Sequence, residues 1–145
     1  MKKIFASIFI FVSINAHADL KALISHPNQT GYYHSARCMG LFGSMIEWIG
    51  KEKMGSELYN SSISQLEILA QSGLVFAVSE QNISNIKDAD KMLTADFKAI
   101  TEMYVSRYRT NYANDGFAWQ EDEIVKNDLV YCKSFTQTIA SAIKQ

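Results

Sequence analysis

Residues 32–50 read YYHSARCMGLFGSMIEWIG, and the reading of this stretch decides the fold. Ala36, Met39, Leu41, Met45, Trp48 and Ile49 recur at helical spacing and not at the strict alternation of a half-buried strand. The Gly50 to Gly55 segment then stops the helix. Tyr33, His34, Arg37 and Cys38 fall within about one turn of it. That cluster is either a site, such as a metal or haem ligand pair or a thiol beside its base, or one end of a disulfide.

The same period recurs down the chain. Ile63, Leu66, Ala70, Leu74 and Ala77 form a second stripe, with Ser64 and Glu67 in the pattern of a capping box. Ser79 to Ser84 is polar and reads as a turn. Ile86, Ala89, Leu93, Phe97, Ile100, Tyr104 and Tyr108 form a third stripe, which Asn114-Asp115-Gly116 breaks. Glu121, Asp122 and Glu123 place negative charge in a first helical turn, where the macrodipole favours it. Val125, Leu129, Cys132, Thr136, Ile139 and Ile143 complete a fourth. Four amphipathic segments joined by short turns predict an all-α, antiparallel four-helix bundle over residues 32–145, preceded by a loose arm at 19–31.

The chain opens MKKIFASIFIFVSINAHADL. Lys2 and Lys3 precede an apolar run from Ile4 to Ile14, and Ala16-His17-Ala18 supplies a small-x-small cleavage pattern. Eleven helical residues rise only about 16 Å, against about 30 Å of hydrocarbon. Residues 1–18 therefore read as a signal peptide cut between Ala18 and Asp19, and the short basic start points to a bacterial periplasm. Asp19 is not a cysteine, so a lipid anchor is not expected. Removing Lys2 and Lys3 takes the formal net charge from −1 to −3. A mildly acidic domain without a Lys/Arg run lacks the footprint of a nucleic-acid or anionic-membrane binder. The Asn-x-Ser/Thr triplets at Asn28, Asn60 and Asn82 are read as chance.

Both cysteines, Cys38 and Cys132, lie beyond the expected cut, and an even pair in an oxidising compartment predicts a disulfide. First and last helices of an antiparallel bundle can be neighbours, and closing a loop of about 95 residues adds roughly 4 kcal/mol in the chain-entropy model. A structural zinc site needs about four ligands. Only His26, His34 and the two cysteines remain after the cut. There is no Cys-x-x-Cys-His for covalent haem. Non-covalent haem on a His and a Met is the alternative small-ligand reading, but Met39, Met45, Met54, Met92 and Met103 sit mostly at core positions. His34 and Arg37 are accordingly expected as rim groups beside the bridge, and no cofactor or metal is expected.

Other chemistries find no support in the residues. No Glu has a His three positions later, as a di-iron bundle requires. Asp88-Ala-Asp90 offers two ligands of a calcium loop, and Met92 stands where the next belongs. Gly-x-Ser-x-Gly and Gly-rich phosphate loops are absent, and Ser-x-x-Lys occurs twice, at Ser84 and Ser141, without its partner motifs. The expectation is a non-catalytic binding protein, inhibitor-, immunity- or chaperone-like by size and compartment, with a protein partner in the periplasm. Tyr, Trp and Arg are enriched at binding hot spots. The candidate partner residues are therefore Arg107, Arg109, Tyr112, Phe117 and Trp119, at the end of the third long helix and the turn after it. Tyr104 and Tyr108 read as bundle-rim residues with wet hydroxyls. Gly40 and Gly43 read as places where a neighbouring helix approaches closely.

Overall fold

A computed structural model describes residues 21–23 and 29–143. The expected signal segment, its Ala18–Asp19 cut and His26 lie outside the described residues. Within them the chain is all-helical, without strands: α1 Gly31–Ile49, α2 Lys51–Met54, α3 Ser56–Glu80, α4 Ile86–Asp115 and α5 Glu123–Ile143. No helix among the described residues is long and apolar enough to cross a membrane.

Each boundary has a local cause. Thr30 caps α1, its Oγ1 accepting from Tyr33 N–H at 3.2 Å. Glu80 at the end of α3 adds a carboxylate there, accepting from the N–H groups of Gly31 at 3.1 Å and Tyr32 at 2.9 Å. Gly50 and Gly55 bracket α2 at φ 76° and 78°, with ψ near the extended range, a conformation that needs glycine. Asn85 caps α4 through Asp88 N–H at 2.9 Å, and Gly116 closes it in the left-handed region. α3 starts at Ser56, so Ser64 lies inside the helix and the expected capping box does not form. The serine-rich stretch stays helical partly by back-bonding, as in Ser62 Oγ to Leu58 O at 2.9 Å.

α1 is the common partner of the other long helices, packing extensively on α3 and α4 and more narrowly on α5. Every residue from His34 to Ser44 is buried. Glycine permits this density. A Cβ on Gly43 would lie 2.6 Å from the Phe97 ring, and one on Gly40 would overlap Ile100, so α4 crosses α1 at close range as the sequence suggested. Cys38 and Cys132 are joined, with Cα atoms 5.3 Å apart across 94 residues of chain, and the bridge pins α5 to α1.

Burial overturns three expectations. Arg37 and His34 are core groups, 2 % and 7 % exposed, and not rim groups. Tyr104 and Tyr108 are fully buried, because α1 covers the α4 stripe that a square bundle would leave at its edge. The arm is not loose at residues 21–23, since Leu23 is fully buried. Gly40→Ala is expected to cost about 1–3 kcal/mol, the usual penalty of overpacking a tight crossing. Urea unfolding should show this as a lower midpoint at unchanged slope.

Candidate functional site

Two constellations gather the candidate residues, one inside the protein and one at its surface. The inner one is centred on Asp128 of α5, which is fully buried. Its Oδ1 accepts from the backbone N–H of Leu23 at 2.6 Å, and its Oδ2 accepts from Arg37 Nη2 and from the Tyr104 hydroxyl, each at 2.5 Å. Arg37 spends its other donors on Tyr104 Oη at 2.9 Å, Tyr33 Oη at 3.0 Å and the Lys21 carbonyl at 2.7 Å. Four pieces of chain, the arm, α1, α4 and α5, therefore meet on one carboxylate.

The electrostatics suit holding and not reacting. Burial works against the Arg37 charge, but Tyr104, Asp128 and Tyr33 outweigh it and keep the guanidinium protonated above its ordinary range. Burial raises the Tyr104 phenol well above 10; Asp128 adds to that rise and Arg37 opposes it, so the hydroxyl remains a donor. Burial likewise raises Tyr108, against the pull of a hydrogen bond with Ser44. Beside them, His34 meets the Tyr131 hydroxyl through Nδ1, with its ring edge-on to Tyr131 and Phe135. Cys38 is committed to its bridge. Among the described residues, no group of three or more His, Cys, Asp or Glu is placed to hold a metal ion.

The outer constellation is the corner where α4 ends and α5 begins. Asp122 is the hub. It accepts from Arg107 Nε at 2.5 Å and Nη2 at 3.1 Å, and from Asn111 Nδ2 at 2.6 Å. It also caps α5 through the N–H groups of Ile124 at 3.1 Å and Val125 at 3.3 Å. Burial by itself would raise its carboxyl, but these donors and the Arg107 charge hold it below the ordinary 3.8. Beside this hub lies a cleft of about 230 Å³, lined by Arg107, Asn111, Asp115, Phe117, Glu121 and Ile124 among others.

The five candidate partner residues are not all brought together. Arg107 and Phe117 line the cleft, and Phe117 is 51 % exposed. Tyr112 is 59 % exposed and edge-on to Trp48, with ring centroids 6.1 Å apart. Trp119 is half-buried against Tyr108, at 5.4 Å. Arg109 is exposed but turned about 200° around α4 from Arg107, away from the cleft. Of the hubs themselves, the sequence marks Asp122 only as one of three acids at a helix start, and it does not mark Asp128 as a site. Asp128 did leave a signal: it interrupts the apolar face of Val125, Leu129 and Cys132, so a buried charge there demands a partner.

Removing one member of the inner pair strands a buried charge, so Arg37→Met and Asp128→Leu should each cost about 3–5 kcal/mol. The double variant should recover much of that loss, which a double-mutant cycle in urea would read. At the corner, the depressed Asp122 pKa contributes stability that is complete above the unfolded carboxyl value and lost as pH falls through the folded one. Asp122→Asn should therefore lower the melting temperature at pH 7 and flatten its decline on the acid side of pH 4, followed by circular dichroism.

Comparison with protein-family models, with curated proteins and with solved structures finds no significant match to this chain.

Proposed function

We propose that this is a non-catalytic protein-binding domain exported to a bacterial periplasm, whose partner surface is the α4–α5 corner. Residues 1–18 act as the cleaved signal, 19–31 as the arm and 32–145 as the domain. On this reading α1, α3, α4 and α5 run as an antiparallel four-helix bundle; in support, Gly31 lies against Phe76 while Ser35 meets Ser72, an opposite sense along α1 and α3. The buried disulfide is compatible with an oxidising destination.

One observation carries the choice of surface. Phe117 presents about half of its surface to solvent in the lining of a cleft, and Tyr112, five residues earlier on α4, is similarly exposed against Trp48, while Tyr108 is fully buried. Large aromatics displayed beside an Arg-lined depression have the composition of an interface hot spot. The polar groups beneath, Arg107, Asn111 and Asp122, bind one another and so form a rigid floor.

Intact mass of protein from the periplasm should begin at Asp19, run two hydrogens light, and take two alkyl groups only after reduction. A chain that keeps residues 1–18 would overturn the export reading. For the surface, a photoreactive phenylalanine placed at Phe117 or Tyr112 should yield a covalent protein adduct in living cells. The same probe at exposed Val130 on α5 should not. Equal capture from all three positions would remove the corner as the site.

A further inference from the structure

Resting on the reading of the α4–α5 corner as the partner surface, we propose that its occupant is a cationic amphipathic protein segment: a Lys or Arg side chain entering the cleft, with an adjacent apolar side chain against Phe117.

The charge balance of the cleft comes first. Its lining holds one cation, Arg107, against Asp115, Glu121, Asp122 and Glu123. Arg107 and Asp122 cancel through their two hydrogen bonds, and Lys126 reaches Glu123 from the adjoining turn of α5. Glu121 and Glu123 need no partner to explain them, because they stand at the N-terminus of α5, where the macrodipole favours acids. Asp115 has no such electrostatic reason, although it belongs to the Asn114-Asp115-Gly116 breaker that ends α4. It is the last residue of a 30-residue helix with no base in its final turn. A helix C-terminus carries about −0.5 charge, so an acid there is destabilising where a base would be stabilising. Local electrostatics is violated at an exposed position, beside two displayed aromatic rings. Residues that break a local rule without a structural gain are expected where function needs them.

Size and sign then narrow the partner. At about 230 Å³ the cleft is smaller than the roughly 300–1,000 Å³ of sites that engulf a small molecule, and it has room for a long side chain. The local negative charge disfavours nucleic acid and anionic membrane and attracts a cation. Phe117 supplies apolar area in its lining, and its ring face also attracts cations. A protein segment that alternates basic and apolar side chains satisfies both features at once.

The test uses a fluorescein-labelled twelve-residue peptide of Lys and Leu, with two controls, one replacing Lys by Glu and one replacing Leu by Ser. Binding to the mature protein is followed by anisotropy. Asp115→Asn should weaken binding of the Lys/Leu peptide about five- to tenfold while raising the urea midpoint, because it relieves the helix end. A residue present only for structure would not give that opposed pair. Phe117→Ala should weaken binding by a similar factor and leave the salt dependence unchanged. Glu67→Gln with Glu102→Gln removes two exposed charges outside the cleft lining and should change nothing.

Equal binding of the Glu/Leu peptide, equal loss in the Glu67/Glu102 variant, or an Asp115→Asn protein that binds undiminished would each overturn the proposal. The photocrosslinking separates the two readings. A partner captured at Phe117 through a neutral or acidic segment would leave the corner a binding surface and remove only the cationic occupant.

Discussion

A carboxylate with no exposure to water stands at the centre of this fold. Asp128 accepts from the arm, from α1 and from α4 while belonging to α5. An unpaired charge in that position is costly, so the donors are constrained together: Arg37 must be within reach, Tyr104 must direct its hydroxyl inward, and the Leu23 amide must close the top. Hydrophobic burial supplies most of the driving force of a domain this size, but it is not directional. The Asp128 cluster is directional, and it gives one register to four segments that apolar contact alone would let slide. The Cys38–Cys132 bridge, one residue past Arg37 on α1 and one turn past Asp128 on α5, ties the same two helices covalently.

The burial of α1 follows from how its surface is made. An amphipathic helix turns one stripe inward, yet three turns of α1 are closed off on every side. Small residues make this possible on the faces toward α3 and α4, where Ser35 meets Ser72 and glycines admit Phe97 and Ile100. Polar residues at the remaining positions are each met: Ser44 by Tyr108 and the Leu41 carbonyl, Arg37 by the Asp128 cluster, His34 by Tyr131. The helix is therefore mixed in composition and still internal. The cost of burying polar atoms is offset hydrogen bond by hydrogen bond.

The α4–α5 corner uses the same device in a milder setting. Asp122 gathers Arg107, Asn111 and the first amides of α5, but Arg107 keeps a third of its side chain in water. What the interior spends on rigidity alone, the corner can present outward, with Phe117 and Tyr112 displayed on a floor that does not need to rearrange. That contrast is the physical basis for proposing the corner, and not the buried pair, as the binding surface.

The sequence by itself determined the four long helices and the bridge, but not the short α2 inside the Gly50–Gly55 stretch it read as a stop. Period and breakers are local properties, so α4 from Ile86 to the Asn114-Asp115-Gly116 breaker could be read directly, and two cysteines leave one intramolecular pairing. It also determined where helices approach closely, since Gly40 and Gly43 share one face. The α3 start was not legible, because the run from Ser56 to Ser64 has weak helical preference and is held by context. Only the tertiary structure decided which polar residues are internal. Arg37 and Tyr104 look like rim residues in their own segments, Asp128 shows only as a charge interrupting an apolar face, and their burial depends on partners up to 105 residues away. The same holds for Arg107 and Arg109, two residues apart, of which one faces Asp122 and the other solvent. A side chain's neighbours within a turn are written in the chain, whereas its neighbours across the core are set by how the helices are laid against each other.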